Sequence, residues 1–351
     1  MRCYNPVNLE FHHQKNADRW LKHLIYIKCS FTLCQLMKDW FETNFAFSNN
    51  IKNNKMIAVT GASGQLGKAA IEFLLKKNTR DKIIGVVRDI DKGQPLKDLG
   101  IEIRQGDYNH YESLLEAFEG VEKLLLISAP AFTDLAHQHM NVINAARDAG
   151  VKHIVYTSIF RSENAKHIIP WVTESNEITE NYLKVSGLDY TILRNTFYAD
   201  NLPYFFGEVI SDSRLVIPGG DGAVGFATRS NLAEAAANVL AEKGHENKTY
   251  SLNGSRSYTF SEIAAILSKE SGKEILYVDA TPAQFIEKIT GAGFPLPLAE
   301  FWAEWAEAFK QGDMQKDDLD SLEVLIGRKP TTLKSFLKEV YFPEKILVIN
   351  Q

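Results

Sequence analysis

What is scarce in this chain narrows its chemistry before any motif does. Only three cysteines occur in 351 residues, Cys3, Cys29 and Cys34, so the 351 − 34 = 317 residues that follow have none. An odd, clustered set without a Cys-x-x-Cys pair does not make a disulfide framework. A metal site joining these cysteines to His12, His13 and His23 matches no zinc spacing. Basic charge is not in excess: 39 Lys and Arg face 44 Asp and Glu, for a net charge of −5. A general nucleic-acid binder shows the opposite balance. Long hydrophobic runs are also missing. The longest uncharged run of the apolar stretch 20–47, residues 29–37, falls far short of the roughly 20 residues that span a bilayer, and no signal-peptide cleavage site follows it. No Gly-x-Ser-x-Gly elbow is present. What remains is 45% hydrophobic and 24% charged, a globular composition with enough apolar residues for a sizeable core. A reducing, cytoplasmic setting fits best, with no nucleic acid and no membrane span.

Residues 1–55 differ in kind from the rest. They hold eight asparagines, three histidines, two tryptophans and all the cysteines. Lys22, Lys28, Lys38, Asp39 and Glu42 interrupt the apolar stretch 20–47, which is compatible with a helical hairpin. A strand pattern then begins at Met56-Ile57-Ala58-Val59-Thr60. The expected functional unit starts there and has 351 − 55 = 296 residues, leaving 1–55 as an appendage or an upstream start-site artefact.

Beyond Met56, β-rich runs at 57–60, 83–87, 101–105, 123–127, 153–157 and 190–193 alternate with helical spacing over 65–77, 113–118, 134–149 and 174–185. The alternation predicts an α/β fold: a Rossmann-like, doubly wound parallel sheet with right-handed crossovers, over 56–195. After Asn195 the rhythm loosens at the glycine-rich loop 217–222. A helix over 231–243 and a strand over 248–252 are expected, then mainly helix from Thr259. Residues 196–351 thus read as a smaller, mainly helical substrate-binding region with some strands returning to the core.

The strongest chemical signal is Thr60-Gly61-Ala62-Ser63-Gly64-Gln65-Leu66-Gly67, between the first strand and the first helix. Gly61 permits the tight turn, Gly64 lets a pyrophosphate approach the backbone, and Gly67 lets the helix pack on the sheet. The helix start adds unpaired N–H donors and the positive end of a dipole. In this context the spacing predicts nucleotide binding. At the end of the second strand, Ile84-Gly85-Val86-Val87-Arg88-Asp89 puts arginine where an NAD-preferring unit has an acid. A guanidinium there suits a 2′-phosphate, favouring NADPH; the competing assignment is a surface pair with Asp89 or Asp91.

These residues resemble the NmrA-like, atypical branch of the short-chain dehydrogenase/reductase family, and within it the flavin-free NAD(P)H:quinone oxidoreductases. The resemblance extends through 120–128, 141–146, Tyr156-Thr157-Ser158, Leu193-Arg194-Asn195, Gly220-Asp221-Gly222 and Ala227-Thr228-Arg229, and finds no counterpart for 1–55. It implies NADPH along the sheet's C-terminal edge, without flavin or metal. By position, Gly61, Ala62, Ser63, Gly64, Gln65 and Leu66 would hold the pyrophosphate and Arg88 the 2′-phosphate. Asp107 and Tyr108, with Ser128, Ala129, Pro130 and Ala131, would flank adenine and ribose. Asn195, Thr196, Phe197 and Tyr198 would lie near the nicotinamide, and a quinone beside the C-terminal region, in a monomer or homodimer.

The departures bear on catalysis. Most short-chain dehydrogenases use a Tyr-x-x-x-Lys couple, and the only such string here, Tyr341 to Lys345, contains Pro343 and follows the Rossmann strands. Relatives often place a histidine or lysine shortly before Thr179-Glu180, where this chain has Asn176. Ser158, ending the fifth strand, is a candidate to bond a substrate oxygen or else a strand-end cap; His167 is a second donor candidate. Phe301, Trp302, Trp305 and Phe309 fall at helical spacing, with a packed helix face favoured over a quinone-facing wall. Asp313, Asp317, Asp318, Asp320 and Glu323 lack calcium-loop spacing and read as a solvated face. The expected function is an NADPH-dependent reductase passing hydride to quinones or similar conjugated electrophiles. The alternative is a non-enzymatic NADP-sensing regulatory protein of the NmrA type, which the missing couple equally allows.

Overall fold

Alternate residues of the central strands serve opposite faces, as the two-residue period of a strand requires. Strand β1 (Met56–Val59) sends Ile57 and Val59 to one core and Ala58 to the other; β4 (Lys123–Ile127) sends Leu125 one way and Leu124 and Leu126 the other. Both faces are covered, so these strands read as continuous apolar runs. With β2 (Lys82–Val87), β3 (Glu102–Gln105), β5 (His153–Ile159), β6 (Asp189–Asn195) and β9 (Lys248–Leu252) they form a seven-stranded parallel sheet in the order β3-β2-β1-β4-β5-β6-β9. The computed structural model describes residues 55–77, 81–130, 132–316 and 320–343. The three cysteines and the hairpin expected near them lie outside the described residues, as do Ala131, Asp317, Asp318 and Lys345.

One face of the sheet is covered by α1 (Gln65–Lys76), α8 (Arg229–Ala241) and α12 (Ser321–Ile326), through Ile71, Leu74, Leu232, Val239 and Leu322. The other is covered by α3 (Tyr111–Ala117), α4 (Leu135–Asp148) and α5 (Thr173–Lys184), through Leu114, Val142, Ile143 and Leu183. The short α2 (Gln94–Lys97) sits near the β3 edge. Lys123, nearly buried at the start of β4, donates to the Leu240 and Glu242 carbonyls and so satisfies the C-terminal end of α8.

The region after Asn195 is mainly helical, as its sequence suggests, and adds short strands that the sequence does not announce. Besides α6 (Leu202–Phe206), α7 (Val209–Asp212), α9 (Phe260–Ser271), α10 (Pro282–Gly291), α11 (Leu296–Lys310) and α13 (Leu333–Tyr341), it holds two small sheets. Strand β7 (Arg214–Ile217) pairs in parallel with β11 (Leu276–Asp279), and β8 (Ala223–Val224) pairs antiparallel with β10 (Tyr258–Thr259). Runs of two and four residues are too short to establish a period. Space and sequence order also part here: α8, β9 and α12 return to the central sheet. The remainder gathers round an aromatic core containing Phe197, Phe205, Phe226, Phe260 and Phe309.

Candidate active site

Strand order reverses between β1 and β4, so the loops after them diverge and open a crevice at the carboxyl edge of the sheet. The glycine loop lies there. Gly61 has φ +58°, a left-handed turn that a side chain would strain. A Cβ at Gly67 would lie 2.4 Å from the Gly61 carbonyl oxygen, so what demands the third glycine is the loop folding back on itself rather than helix-to-sheet packing. Helix α1 starts with no side-chain cap and no acid in its first turn, which leaves its N–H donors for an anion. Gly61, Ser63, Gly64 and Gln65 are exposed, while Ala62 and Leu66 belong to the core and offer the loop only their backbone.

Arg88, exposed immediately after β2, forms no ion pair among the described residues. Asp89, its expected competitor, instead accepts the Asp91 N–H at 3.1 Å and caps a short helical turn. Asp107 accepts from the Asn109 backbone N–H at 2.9 Å. The Tyr108 hydroxyl lies 2.5 Å from Thr60 Oγ1 and 2.8 Å from the Ile127 carbonyl, tying β1 to β4 where the crevice opens. Burial pushes this phenol above its ordinary range.

A cleft of about 360 Å³ lies beyond the ends of β4, β5 and β6. It gathers Ser128, Ala129, Pro130, Ser158, Asn176, Asn195, Thr196, Phe197 and Tyr198 from the sequence-derived candidates, and adds Phe301, Trp302, Trp305 and Arg229. The glycine loop, Arg88, Asp107 and Tyr108 do not line it; they occupy the other arm of the crevice. Asn195 and Thr196 line the cleft, and their Oδ1 and Oγ1 atoms are buried with no hydrogen-bond partner among the described residues. Buried polar atoms are rarely left so, and these fit a polar ligand group such as a carboxamide. Arg229 joins the two arms: one guanidinium nitrogen donates to Gln65 Oε1 at 2.7 Å, another to Asn201, and the group lies over the Tyr198 ring.

Beneath the Ser128–Pro130 segment runs a buried neutral network. The Ala129 N–H donates to His139 Nε2 at 2.9 Å. That nitrogen is therefore unprotonated, and the ring proton sits on Nδ1, 2.9 Å from Thr179 Oγ1. Burial holds the His139 pKa down to about 4, so the ring stays neutral. The Tyr156 hydroxyl donates to Asn176 Oδ1 at 2.6 Å, and Asn176 Nδ2 donates to the Val172 carbonyl at 2.7 Å. Beside this network lies a charged one. Ser158 donates to Glu180 Oε1 at 2.7 Å, and Arg194 grips both Glu180 oxygens at 2.9 and 2.6 Å. Burial pushes the Glu180 carboxyl up, but the bonds from Arg194 and Ser158 outweigh it and hold the group ionised, below the ordinary carboxylate range.

Several sequence expectations change. Ser158 already gives its only proton to Glu180. His167 does not line the cleft; it faces Glu304 at 2.8 Å. Asp313 is not on a solvated face: it is 2% exposed and accepts the backbone N–H groups of Lys166 and His167. The α11 aromatics divide, with Phe309 in the core and Phe301, Trp302 and Trp305 lining the cleft. His139, Glu180 and Arg194 were not singled out. A signal existed: Asn176, Thr179, Glu180 and Leu183 form one buried stripe of α5, and three of the four are polar.

A parallel sheet whose switch point carries an uncapped helix start, beside a cleft with unpaired amide and hydroxyl atoms, defines a dinucleotide-binding α/β protein. More narrowly, the chain belongs to the NmrA-like family, which matches residues 53–341. Quinone oxidoreductase 2 of Escherichia coli (strain K12) is 39% identical over 286 residues, covering 82% of this chain and 99% of the relative. The crystal structure of the E. coli NADPH-dependent quinone oxidoreductase complexed with NADPH has a TM-score of 0.76 at 39% identity, covering 82% and 100% of the two chains. Triphenylmethane reductase from a Citrobacter species has a TM-score of 0.76 at 42% identity, covering 81% and 98%.

Proposed function

We propose that this chain is an NADPH-dependent reductase that passes hydride to quinones or similar conjugated electrophiles. One observation carries the reading: the cleft joins unpartnered polar atoms, Asn195 Oδ1 and Thr196 Oγ1, to an aromatic wall of Phe301, Trp302 and Trp305. The first pair suits a nicotinamide carboxamide and the second group a flat conjugated ring. The quinone oxidoreductase relatives support the same reaction.

NADPH, when bound, supplies the hydride. The loop N–H groups not already given to carbonyls, as those of Ala62 and Gly64 are, would hold its pyrophosphate with the uncapped start of α1, and Arg88 would hold its 2′-phosphate. Arg229 fixes the spacing between the loop and the nicotinamide arm. Hydride arrival puts negative charge on the acceptor oxygen, and a donor is needed there. Of the polar side chains that line the cleft here, Ser158 has its proton committed to Glu180, whereas the Asn176 amide has a second N–H beyond the one given to Val172. Asn176 is therefore the donor to the acceptor oxygen. Its orientation is set by Tyr156, and solvent supplies the final proton. Holding the two rings in contact supplies much of the acceleration.

The same reading makes residues 56–351 the catalytic unit, acting as a monomer or homodimer in a reducing cytoplasm. NADPH oxidation measured against a panel of small quinones, with NADH in parallel, tests it. Turnover with NADPH ahead of NADH is expected. Tight NADPH binding with no turnover of any quinone would move the assignment to the NADP sensor.

A further inference from the structure

We propose that Phe132, Trp171 and Phe301 form an aromatic collar at the mouth of the cleft, selecting flat acceptors of two or more conjugated rings over single-ring ones. The inference rests on the reductase reading and names the substrate class of that site. Phe132 comes from the loop after β4, Trp171 from the loop after β5 and Phe301 from α11. The Phe132 ring centre lies 5.3 Å from that of Trp171 and 5.0 Å from that of Phe301. Phe132 and Trp171 are nonetheless 46% and 53% exposed. Packing among themselves does not bury them.

Their backbones make the arrangement more pointed. Phe132 has φ +69° and Trp171 has φ +61°, the left-handed region that bulky residues rarely adopt. Two aromatic residues from separate loops, each strained and half exposed, meet at one point. Strain of this kind persists where surrounding structure imposes it, and it gathers at ligand clamps. Here it presents two ring surfaces to solvent.

The collar is continuous with the cleft. Phe301 lines both, and Pro130 and Val172, close neighbours of Phe132 and Trp171 in sequence, line the cleft below. A volume of about 360 Å³ is at the small end for a ligand site. It has room for the nicotinamide and one acceptor ring. A further fused or linked ring that extends past Phe301 meets the Phe132 and Trp171 rings.

The test compares kcat/KM for 9,10-phenanthrenequinone and 1,4-benzoquinone in the full chain. Phe132→Ala and Trp171→Ala should lower the ratio roughly three- to tenfold through KM for the larger quinone, the scale of one lost ring contact. Trp171→Phe should restore most of it. Trp171→Gly, which suits the left-handed backbone, should lose the same selectivity with Tm equal or higher, separating the collar from folding. An unchanged ratio, or an equal fall on both quinones, overturns the proposal. A shift in oligomeric state with Trp171→Ala would instead make the patch an interface between copies, and would also overturn it. If neither quinone is reduced, the reductase reading fails but the collar is still tested. Quenching of tryptophan fluorescence by the two quinones with NADP⁺ present must then favour phenanthrenequinone, and Phe132→Ala must weaken that preference; otherwise the collar fails too.

Discussion

On the cofactor side of the crevice the chain presents main chain. The turn at Gly61, the start of α1 and the Ser128–Pro130 segment each come from one short stretch of sequence, pinned by Tyr108 and His139. On the acceptor side it presents side chains, with Phe301, Trp302 and Trp305 on one helix facing loops more than a hundred residues away. A wall made of backbone has no spare volume and fails when crowded. A wall made of ring faces can lose one and still stand. The acceptor side is therefore where specificity can change without loss of the fold, and the two sides should respond differently to the same kind of substitution.

The largest contrast is expected from Gly67→Ala. The added Cβ would meet the Gly61 carbonyl oxygen at 2.4 Å and the Ala62 Cα at 2.9 Å, both backbone atoms. Overpacking of this severity costs about 3 kcal/mol. Thermal unfolding should show that loss, and NADPH titration should show affinity reduced by at least roughly a hundredfold, the equivalent of about 2.7 kcal/mol. A loss below about 1 kcal/mol would mean the loop is not rigid.

Acid should weaken the cofactor side next. His139 titrates near 4 in the fold against 6.5 ordinarily, because burial disfavours its charged form. The unfolded chain therefore binds a proton that the native chain refuses. Stability is full above pH 6.5, falls as pH drops toward 4, and loses nothing more from this group below that; the total is about 3 kcal/mol. His153, also lowered to about 4 by burial, adds a similar slope from the opposite end of the sheet. NADPH affinity separates the two, since only His139 holds Ala129. Denaturant unfolding and cofactor titration at several pH values between 7 and 4.5 should decline together. Loss of stability with unchanged affinity would place the effect at His153.

Arg88→Ala should weaken NADPH by roughly 1.5–3 kcal/mol, about ten- to a hundredfold in Kd, and leave NADH within about twofold. Equal loss for both would remove Arg88 from the 2′-phosphate.

The same contrast decides what a reader of the sequence can find. The glycine loop and Arg88 are local, and one stretch of residues carries the whole signal. The central strands β1, β2 and β4 are legible because burial on both faces makes them near-continuous apolar runs. The acceptor wall is not local. Phe132 and Trp171 look like ordinary loop residues until the fold brings them to Phe301. Asp313 reads as one acid in a solvated run, yet it is buried by loop 160–167 folding over it, which no periodicity announces. Ser158 is legible as a residue near a strand end, but its bond to Glu180 depends on a helix turn that only the packing supplies.

The smallest stability effect should come from Phe301→Ala, and it is the most direct test of the difference between the two sides. Phe301 and Phe309 lie two turns apart on α11 and are indistinguishable by spacing. Phe309 is fully buried, its ring 5.0 Å from Phe197 in the aromatic core, whereas Phe301 is half-buried and lines the cleft. Truncating a buried phenylalanine typically costs 3–5 kcal/mol, through lost contacts and the cavity left behind. Phe301 leaves a hole open to solvent, so the loss should stay below about 1 kcal/mol while KM for planar acceptors rises severalfold. Parallel measurements of Tm and quinone kinetics distinguish the cases. A Tm drop as large as that of a core truncation, with kinetics unchanged, would make α11 a single packed face and leave the acceptor side without its aromatic wall.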